Sequence, residues 1–171
     1  MFKMAEAYIF DLFGTLAYGE MALKNDYHEH LLVTKLADSK LSEEEKEECL
    51  KLLERENLQL YEDSEQVIKK LKEKGYNVAV LSNIYEFTAN KVRKKFNGFL
   101  ELFDYIALSC EIGIAKPNPK IFLLTLDKLG AKPEEAVMVG DSIKRDIIPA
   151  RQLNMDTILI DRKFQRLENL I

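Results

Sequence analysis

The chain has 171 residues, enough for one compact domain with room for an insertion. It is 47% hydrophobic and 32% charged, so it can bury a core and keep a hydrated surface. The formal net charge of −4 excludes the strongly basic face of a nucleic-acid binder and leaves a small-molecule partner by elimination.

The two cysteines, Cys49 and Cys110, are far apart and outside any CxxC spacing, so they make neither a disulfide framework nor a zinc knuckle. They read as the reduced thiols of a cytoplasmic protein. No apolar run approaches the ~20 residues of a membrane helix, and Met1 to Tyr8 lacks the features of a signal peptide.

In chain order, Ala7–Asp11 is the first of five short apolar runs. The others are Asn77–Ser82, Tyr105–Ser109, Ala136–Gly140 and Thr157–Asp161. Each is nearly continuously apolar rather than alternating, the pattern of a parallel strand covered on both faces.

Between Leu16 and Tyr61 no strand is predicted. Two helical stretches, 20–37 and 42–60, read there as a hairpin inserted after the first strand. Ser42 caps the second, and the glutamates behind it suit a helix N-terminus. His28 and His30 lie two apart, do not share a helix face, and read as solvated. The 43–48 acidic run reads as an exposed helix face.

Asp63 is predicted to cap a helix that runs to Lys74, with Gln66 as capping-box partner and Gly75 as the left-handed stop. Asn118 caps the next, with Pro119 at its first position and Gly130 at its end. A third begins near Asp146, with Pro149 in its first turn. Strands alternating with helices predict an α/β fold, a Rossmann-like doubly wound parallel sheet with right-handed crossovers. The domain reading is a core of residues 1–16 and 61–171, with 17–60 as a small helical cap beside the carboxyl ends of the strands.

Polar residues end these runs. Asp11 follows Ala-Tyr-Ile-Phe, Ser82-Asn83 follows Val-Ala-Val-Leu, and Lys116 sits in Gly-Ile-Ala-Lys-Pro. Gly140-Asp141-Ser142 follows Val-Met-Val, with Asp146 five residues beyond Asp141. In a parallel sheet all strand carboxyl ends share one edge, so these groups can converge. Together they supply a nucleophilic carboxylate, a hydroxyl, a fixed cation and two carboxylates for a hard cation such as Mg²⁺. Attack by Asp11 on a phosphoryl group would give an acyl phosphate that water hydrolyses, with Ser82 and Lys116 stabilising the charge.

The order and context of these motifs resemble the haloacid dehalogenase superfamily, with its many phosphatases. Asp11-Leu12-Phe13-Gly14-Thr15-Leu16 is similar to the first motif and Ser82-Asn83 to the second. Lys116-Pro117 is similar to the third, and Gly140-Asp141-Ser142 with Asp146 to the fourth. The resemblance implies that Asp11 is nucleophile and Mg²⁺ ligand and that the Phe13 main-chain oxygen and Asp141 complete the protein ligands. Asp146 would stand in or just behind that shell. It implies that Ser82 and Lys116 hold the phosphoryl oxygens of a small phosphorylated substrate, Lys116 also orienting Asp11. Thr15 would brace the nucleophile loop, and the main chain near Asn83 would offer donors to the substrate.

One position departs from the phosphatase pattern. Phosphatases of this superfamily carry a second aspartate two residues after the nucleophile, as general acid and base; here that residue is Phe13. An aromatic there resembles the 2-haloacid dehalogenases, whose halide leaving group needs no proton. Those enzymes, however, bind no metal and lack the fourth-motif Gly-Asp pair kept here as Gly140-Asp141. They also carry a tyrosine shortly after the lysine, where this chain has Phe122, and a halide-binding arginine, for which Arg55 is the insertion's single candidate. The clustered carboxylates therefore favour a Mg²⁺-dependent phosphatase. Dehalogenation, or a phospho-acceptor or ligand-binding module without turnover, are the alternatives.

Overall fold

A computed structural model describes residues 5–19, 42–55 and 57–171. The chain divides into two compact units, Met1–Ala17 with Leu60–Ile171, and Tyr18–Gln59.

The larger unit is built on a five-stranded parallel sheet. In chain order the elements of the chain begin with β1 (Ala7–Phe10). Strand β2 (Ala17–Gly19), helix α1 (Glu43–Arg55) and strand β3 (Leu58–Leu60) come next. The chain continues through α2 (Ser64–Glu73), β4 (Asn77–Ser82), α3 (Glu86–Lys95) and β5 (Tyr105–Leu108). It ends with α4 (Pro119–Leu129), β6 (Ala136–Gly140), α5 (Ile148–Gln152) and β7 (Asp156–Leu159). The strand order is β5-β4-β1-β6-β7, so β1 is central and the order reverses beside it. In register, Phe10 faces Val80 on one side and Val139 on the other. The residues just beyond β1, β4 and β6 therefore share one crevice, where open α/β sheets bind ligands.

The interior explains the apolar runs. Ala7, Ile9, Ala79, Leu81 and Met138 pack with Ile121, Phe122 and Leu126 of α4 and with Ala150 and Met155. Phe122 is fully buried in this cluster, so its ring serves packing. Among the described residues, no helix is long and apolar enough to cross a membrane.

Helix ends follow the local signals in several places. The Asn118 side chain accepts from the Lys120 N–H at 3.0 Å. Helices α2 and α4 close on Gly75 (φ +86°) and Gly130 (φ +65°). At the first, Gly75 N–H donates to the Lys72 carbonyl and Tyr76 N–H to that of Leu71, the paired bonds of a Schellman stop. In α1, Ser42 and Glu45 cap each other reciprocally, at 2.8 and 3.2 Å. Glu43, Glu44, Glu45 and Glu47 are exposed, with Glu47 paired to Lys51.

Four expectations are corrected. The segment expected to hold no strand contributes β2 and β3, which pair with each other. Consequently α1 stops at Arg55 rather than Leu60, and Leu58–Leu60 is extended. The hairpin's first arm, with His28 and His30, falls outside the described residues. The element expected to start near Asp146 starts at Ile143, as a π-helical turn (Ile143–Ile147) that runs into α5. The last strand is shifted, Asp156–Leu159, leaving Asp161 in a turn where its carboxylate accepts from Lys163 N–H at 3.0 Å.

The fourth correction is energetic. Asp63 sits at the start of α2 but makes no side-chain cap. Its carboxylate pairs with both terminal nitrogens of Arg162 and accepts from Leu167 N–H at 2.6 Å. A bidentate, charge-assisted pair outweighs one capping bond. Arg162 also lies 4.1 Å over the Tyr61 ring, and Ser64 Oγ donates to the Leu16 carbonyl at 2.8 Å. The C-terminal segment is thereby tied to the start of α2, and α2 to the end of the loop after β1. Burial alone would raise the Asp63 carboxyl, but Arg162 and the two main-chain donors outweigh it and hold it below the usual range.

Removing one partner of so buried a pair leaves an uncompensated charge, typically costing about 3–5 kcal/mol. Asp63→Ala is expected to lose that much stability at pH 7 in guanidinium unfolding. Because the folded-state value is depressed, the wild-type advantage is complete above the ordinary carboxylate range near 3.9. It is lost as pH falls through the folded value, so the gap should narrow only in acid.

Candidate active site

The site begins where β1 ends. Asp11 N–H donates to the Val139 carbonyl at 2.9 Å, extending the parallel ladder one residue and fixing Asp11 at the sheet edge. The chain then folds back tightly. Leu16 and Ala17 both donate to the Leu12 carbonyl, at 2.8 and 2.9 Å, and Gly14 donates to that of Ala17 at 2.9 Å. Gly14 has φ +82°, and a Cβ there would collide with the Asp141 carboxylate. Gly140 plays the same part for the neighbouring acid, since its Cβ would meet Asp146. Two glycines thus let two carboxylates approach the backbone more closely than any side chain would permit.

Lys116 holds the acids together. Its ammonium donates to Asp11 Oδ1 at 2.6 Å and to Asp146 Oδ1 at 2.7 Å. All three are buried, with 8% (Asp11), 4% (Lys116) and 1% (Asp146) of their surface exposed. Asp146 Oδ2 accepts from Ser142 N–H at 3.0 Å, so both its oxygens are engaged. The π-turn sets that geometry: Asp146 and Ile147 N–H both donate to the Ser142 carbonyl, at 2.8 and 3.2 Å. Ser142 Oγ accepts from Arg145 N–H at 3.3 Å. Wide turns of this kind recur at functional sites.

Asp141 completes the cluster. Oxygens of Asp11, Asp141 and Asp146 lie within 4.8 Å of one another. Three carboxylates face one ammonium, and Asp11 and Asp141 are raised. Burial pushes Asp11 up to about 7 despite Lys116, with Asp146 and Asp141 pushing the same way. Desolvation, then Asp146, also raises Asp141. Burial would lower Lys116, but its two carboxylate partners outweigh that and hold it above the ordinary lysine value. An oxygen-only donor set with excess negative charge fits a hard divalent cation.

The remaining predicted residues fall around this group. Ser82 is buried as the last residue of β4, next to β1. Thr15 is fully buried, and its Oγ1 has no hydrogen-bond partner. Phe13 is half-buried and bridges to Ala17 through the main chain. The Asn83 side chain bonds to the main chain of Lys116, which leaves untouched the expectation that the main chain near Asn83 offers donors. Ser109 is a contributor that had no expectation attached. Ser109 Oγ ties the loop after β4 to β5, accepting from Ile84 N–H at 2.9 Å and donating to the Ile84 carbonyl at 3.2 Å. The two glycines carried a signal, each adjoining a polar strand end, but the carboxylate that each accommodates is distant in sequence or one turn ahead.

The sequence model of the haloacid dehalogenase-like hydrolases matches residues 23–154. A glyceraldehyde 3-phosphate phosphatase of Methanopyrus kandleri is 39% identical over 113 residues, 65% of this chain and 48% of that protein. A phosphoserine phosphatase of Thermus thermophilus is 32% identical over 110 residues, 64% of this chain and 43% of that protein. The chain spans about half the length of the curated relatives it matches. Among solved structures, a HAD phosphatase from Thermococcus onnurineus superposes with a TM-score of 0.67 at 26% identity, covering 96% of this chain and 90% of that one. The family match spans more than half of the chain, from residue 23 to residue 154 and so across Ser82, Lys116, Asp141 and Asp146, and this chain belongs to the haloacid dehalogenase-like hydrolase family.

Proposed function

We propose that the protein is a Mg²⁺-dependent phosphatase that turns over a small phosphorylated metabolite through an aspartyl phosphate on Asp11. The observation that carries this reading is the buried Asp11–Lys116–Asp146 chain beside Asp141, with three carboxylates and one ammonium at a single strand edge. Relatives named as phosphatases support it.

In this reading an Asp11 oxygen attacks phosphorus as the bond to the leaving oxygen breaks, and the leaving group departs with its electron pair. Lys116 and Ser82 hold the phosphoryl oxygens, whose charge spreads as the bonds exchange. Thr15 and the Gly14 turn keep the nucleophile loop in place. Water then attacks phosphorus, the Asp11 carboxylate is regenerated, and phosphate leaves while the water's proton passes to solvent. Asp11, Asp141 and the Phe13 carbonyl would hold Mg²⁺, with Asp146 supporting; the cation supplies charge neutralisation and orientation of the phosphate. Residues 17–60 are read as the substrate-selecting insertion, and the protein as cytoplasmic, with no nucleic-acid or membrane partner.

Phe13 favours the second reading, halide displacement by the same carboxylate. The acid cluster weighs against it, because gathered carboxylates are costly without a cation.

Asp11→Asn should retain the fold by circular dichroism and keep at most a few per cent of wild-type turnover, because an amide is not a nucleophile here. Chelator should abolish phosphate release and Mg²⁺ restore it. Asp141→Ala should raise the Mg²⁺ concentration for half-activity sharply. Asp146→Ala, whose oxygens are bonded to Lys116 and Ser142, should raise it less. Chelator-resistant halide release from a 2-haloacid would move the assignment to dehalogenase.

Phe13 can neither give nor take a proton, and positioned acid–base catalysis is typically worth about 10²–10⁴-fold. Acetyl phosphate and p-nitrophenyl phosphate, which expel stable anions, should therefore turn over clearly and alkyl phosphates slowly. A plot of rate against leaving-group pKa should be steep for the wild type and flatter for Phe13→Asp. A flat wild-type plot would assign the proton to another residue.

A further inference from the structure

We infer that Asn83 is the positioning residue for Lys116: its carboxamide clasps the main chain of the loop that carries the lysine and so sets where the ammonium stands. Asn83 Oδ1 accepts from Lys116 N–H at 2.8 Å, and Asn83 Nδ2 donates to the Lys116 carbonyl at 2.8 Å. Only one orientation of the carboxamide satisfies both bonds, so the donor and acceptor ends are fixed by the network itself. The two residues are 33 apart in sequence, and the contact exists only because β4 ends beside the site.

The loop needs such a hold. Residues 113–118 join the single helical turn Ser109–Ile112 to α4 and lie outside regular structure. Within them, Gly113 donates to the Ser109 carbonyl at 2.9 Å, and Asn118 to that of Ala115 at 3.0 Å. Neither bond anchors Lys116 to the sheet. Asn83 does, by occupying the donor and the acceptor of Lys116 at once.

Ser82 immediately precedes Asn83 at the end of β4, and Ser109 fastens the next residue, Ile84, to the end of β5. The hydroxyl and the ammonium that are proposed to meet the phosphoryl group thus belong to one hydrogen-bonded unit. A lysine has four rotatable side-chain bonds, so its ammonium is only as well placed as its main chain and its partners. At rest Asp11 and Asp146 supply partners. Once an Asp11 oxygen is esterified, that contact weakens, and the clasp and Asp146 carry the placement.

This inference rests on the phosphatase reading for its kinetic arm alone. The test compares wild type, Asn83→Ala, Lys116→Ala and the double variant by kcat/KM on p-nitrophenyl phosphate with saturating Mg²⁺. Misplacing a catalytic group by about 1 Å can cost on the order of 10²-fold. Asn83→Ala is expected to lose about 10- to 100-fold, and to add less than about twofold in the Lys116→Ala background, because it acts through that lysine. A merely structural role would give multiplicative losses.

Amide hydrogen exchange supplies the arm that needs no activity. The Lys116 N–H should be protected in the wild type and exchange fast in Asn83→Ala, while core strand amides are unchanged. Asn83→Asp keeps the acceptor and loses the donor, so it should fall between wild type and Ala in both measurements; it also stands in if the alanine variant fails to fold. Multiplicative losses in the cycle, wild-type rates in folded Asn83→Ala, or an unprotected Lys116 amide would each overturn the assignment. An inactive wild type with a protected, Asn83-dependent amide would overturn the phosphatase reading and leave the clasp standing.

Discussion

The site depends on one ammonium shared between two carboxylates in a place largely shielded from water. Lys116 bonds Asp11 and Asp146 at 2.6 and 2.7 Å, and none of the three could be buried as a charge by itself. The arrangement is still short of positive charge, because Asp141 joins the same cluster. Burial, with Asp146 and Asp141 adding to it, therefore outweighs Lys116 and raises Asp11. Asp11, with one lysine and no further cation, is thus partly protonated near neutral pH. A divalent cation in the cluster would both restore its charge and attract a phosphate. Stability and reactivity are linked here through the same electrostatic deficit.

The backbone is shaped around that deficit. A parallel sheet delivers β1, β4 and β6 side by side, so short loops can bring their first residues into contact without long excursions. The left-handed Gly14 turn, Gly140 and the π-turn at Ile143–Ile147 each remove an obstruction or add a twist that brings a carboxylate in. Such irregularities would weaken an ordinary fold and are sustained by a rigid core beneath them. The buried Asp63–Arg162 pair ties the C-terminal segment to α2, which Ser64 joins in turn to the carbonyl of Leu16.

In the proposed mechanism Phe13 puts an apolar ring two residues after Asp11, where it can transfer no proton, while the acidic cluster keeps the features suited to phosphate. The combination fits chemistry in which the leaving group departs unaided.

Strand positions and the convergence of Asp11, Lys116, Asp141 and Asp146 at one edge were legible in the sequence. Buried parallel strands must be continuously apolar, so a polar residue that ends one is conspicuous, and all strand ends face the same way. The caps at Ser42 and Asn118 and the stops at Gly75 and Gly130 were legible for a similar reason, since each is decided within one turn of helix. Tertiary structure alone decided the rest. Asp63 has the look of a helix cap, but Arg162, 99 residues away, offers it a bidentate charged partner. The Asn83 carboxamide finds its partners on the main chain of Lys116, 33 residues away. Leu58–Leu60 joined a strand because Ala17–Gly19 was there to pair with it. In each case local pattern fixes what a residue can bond to, whereas the partner it finds depends on segments brought near only by folding.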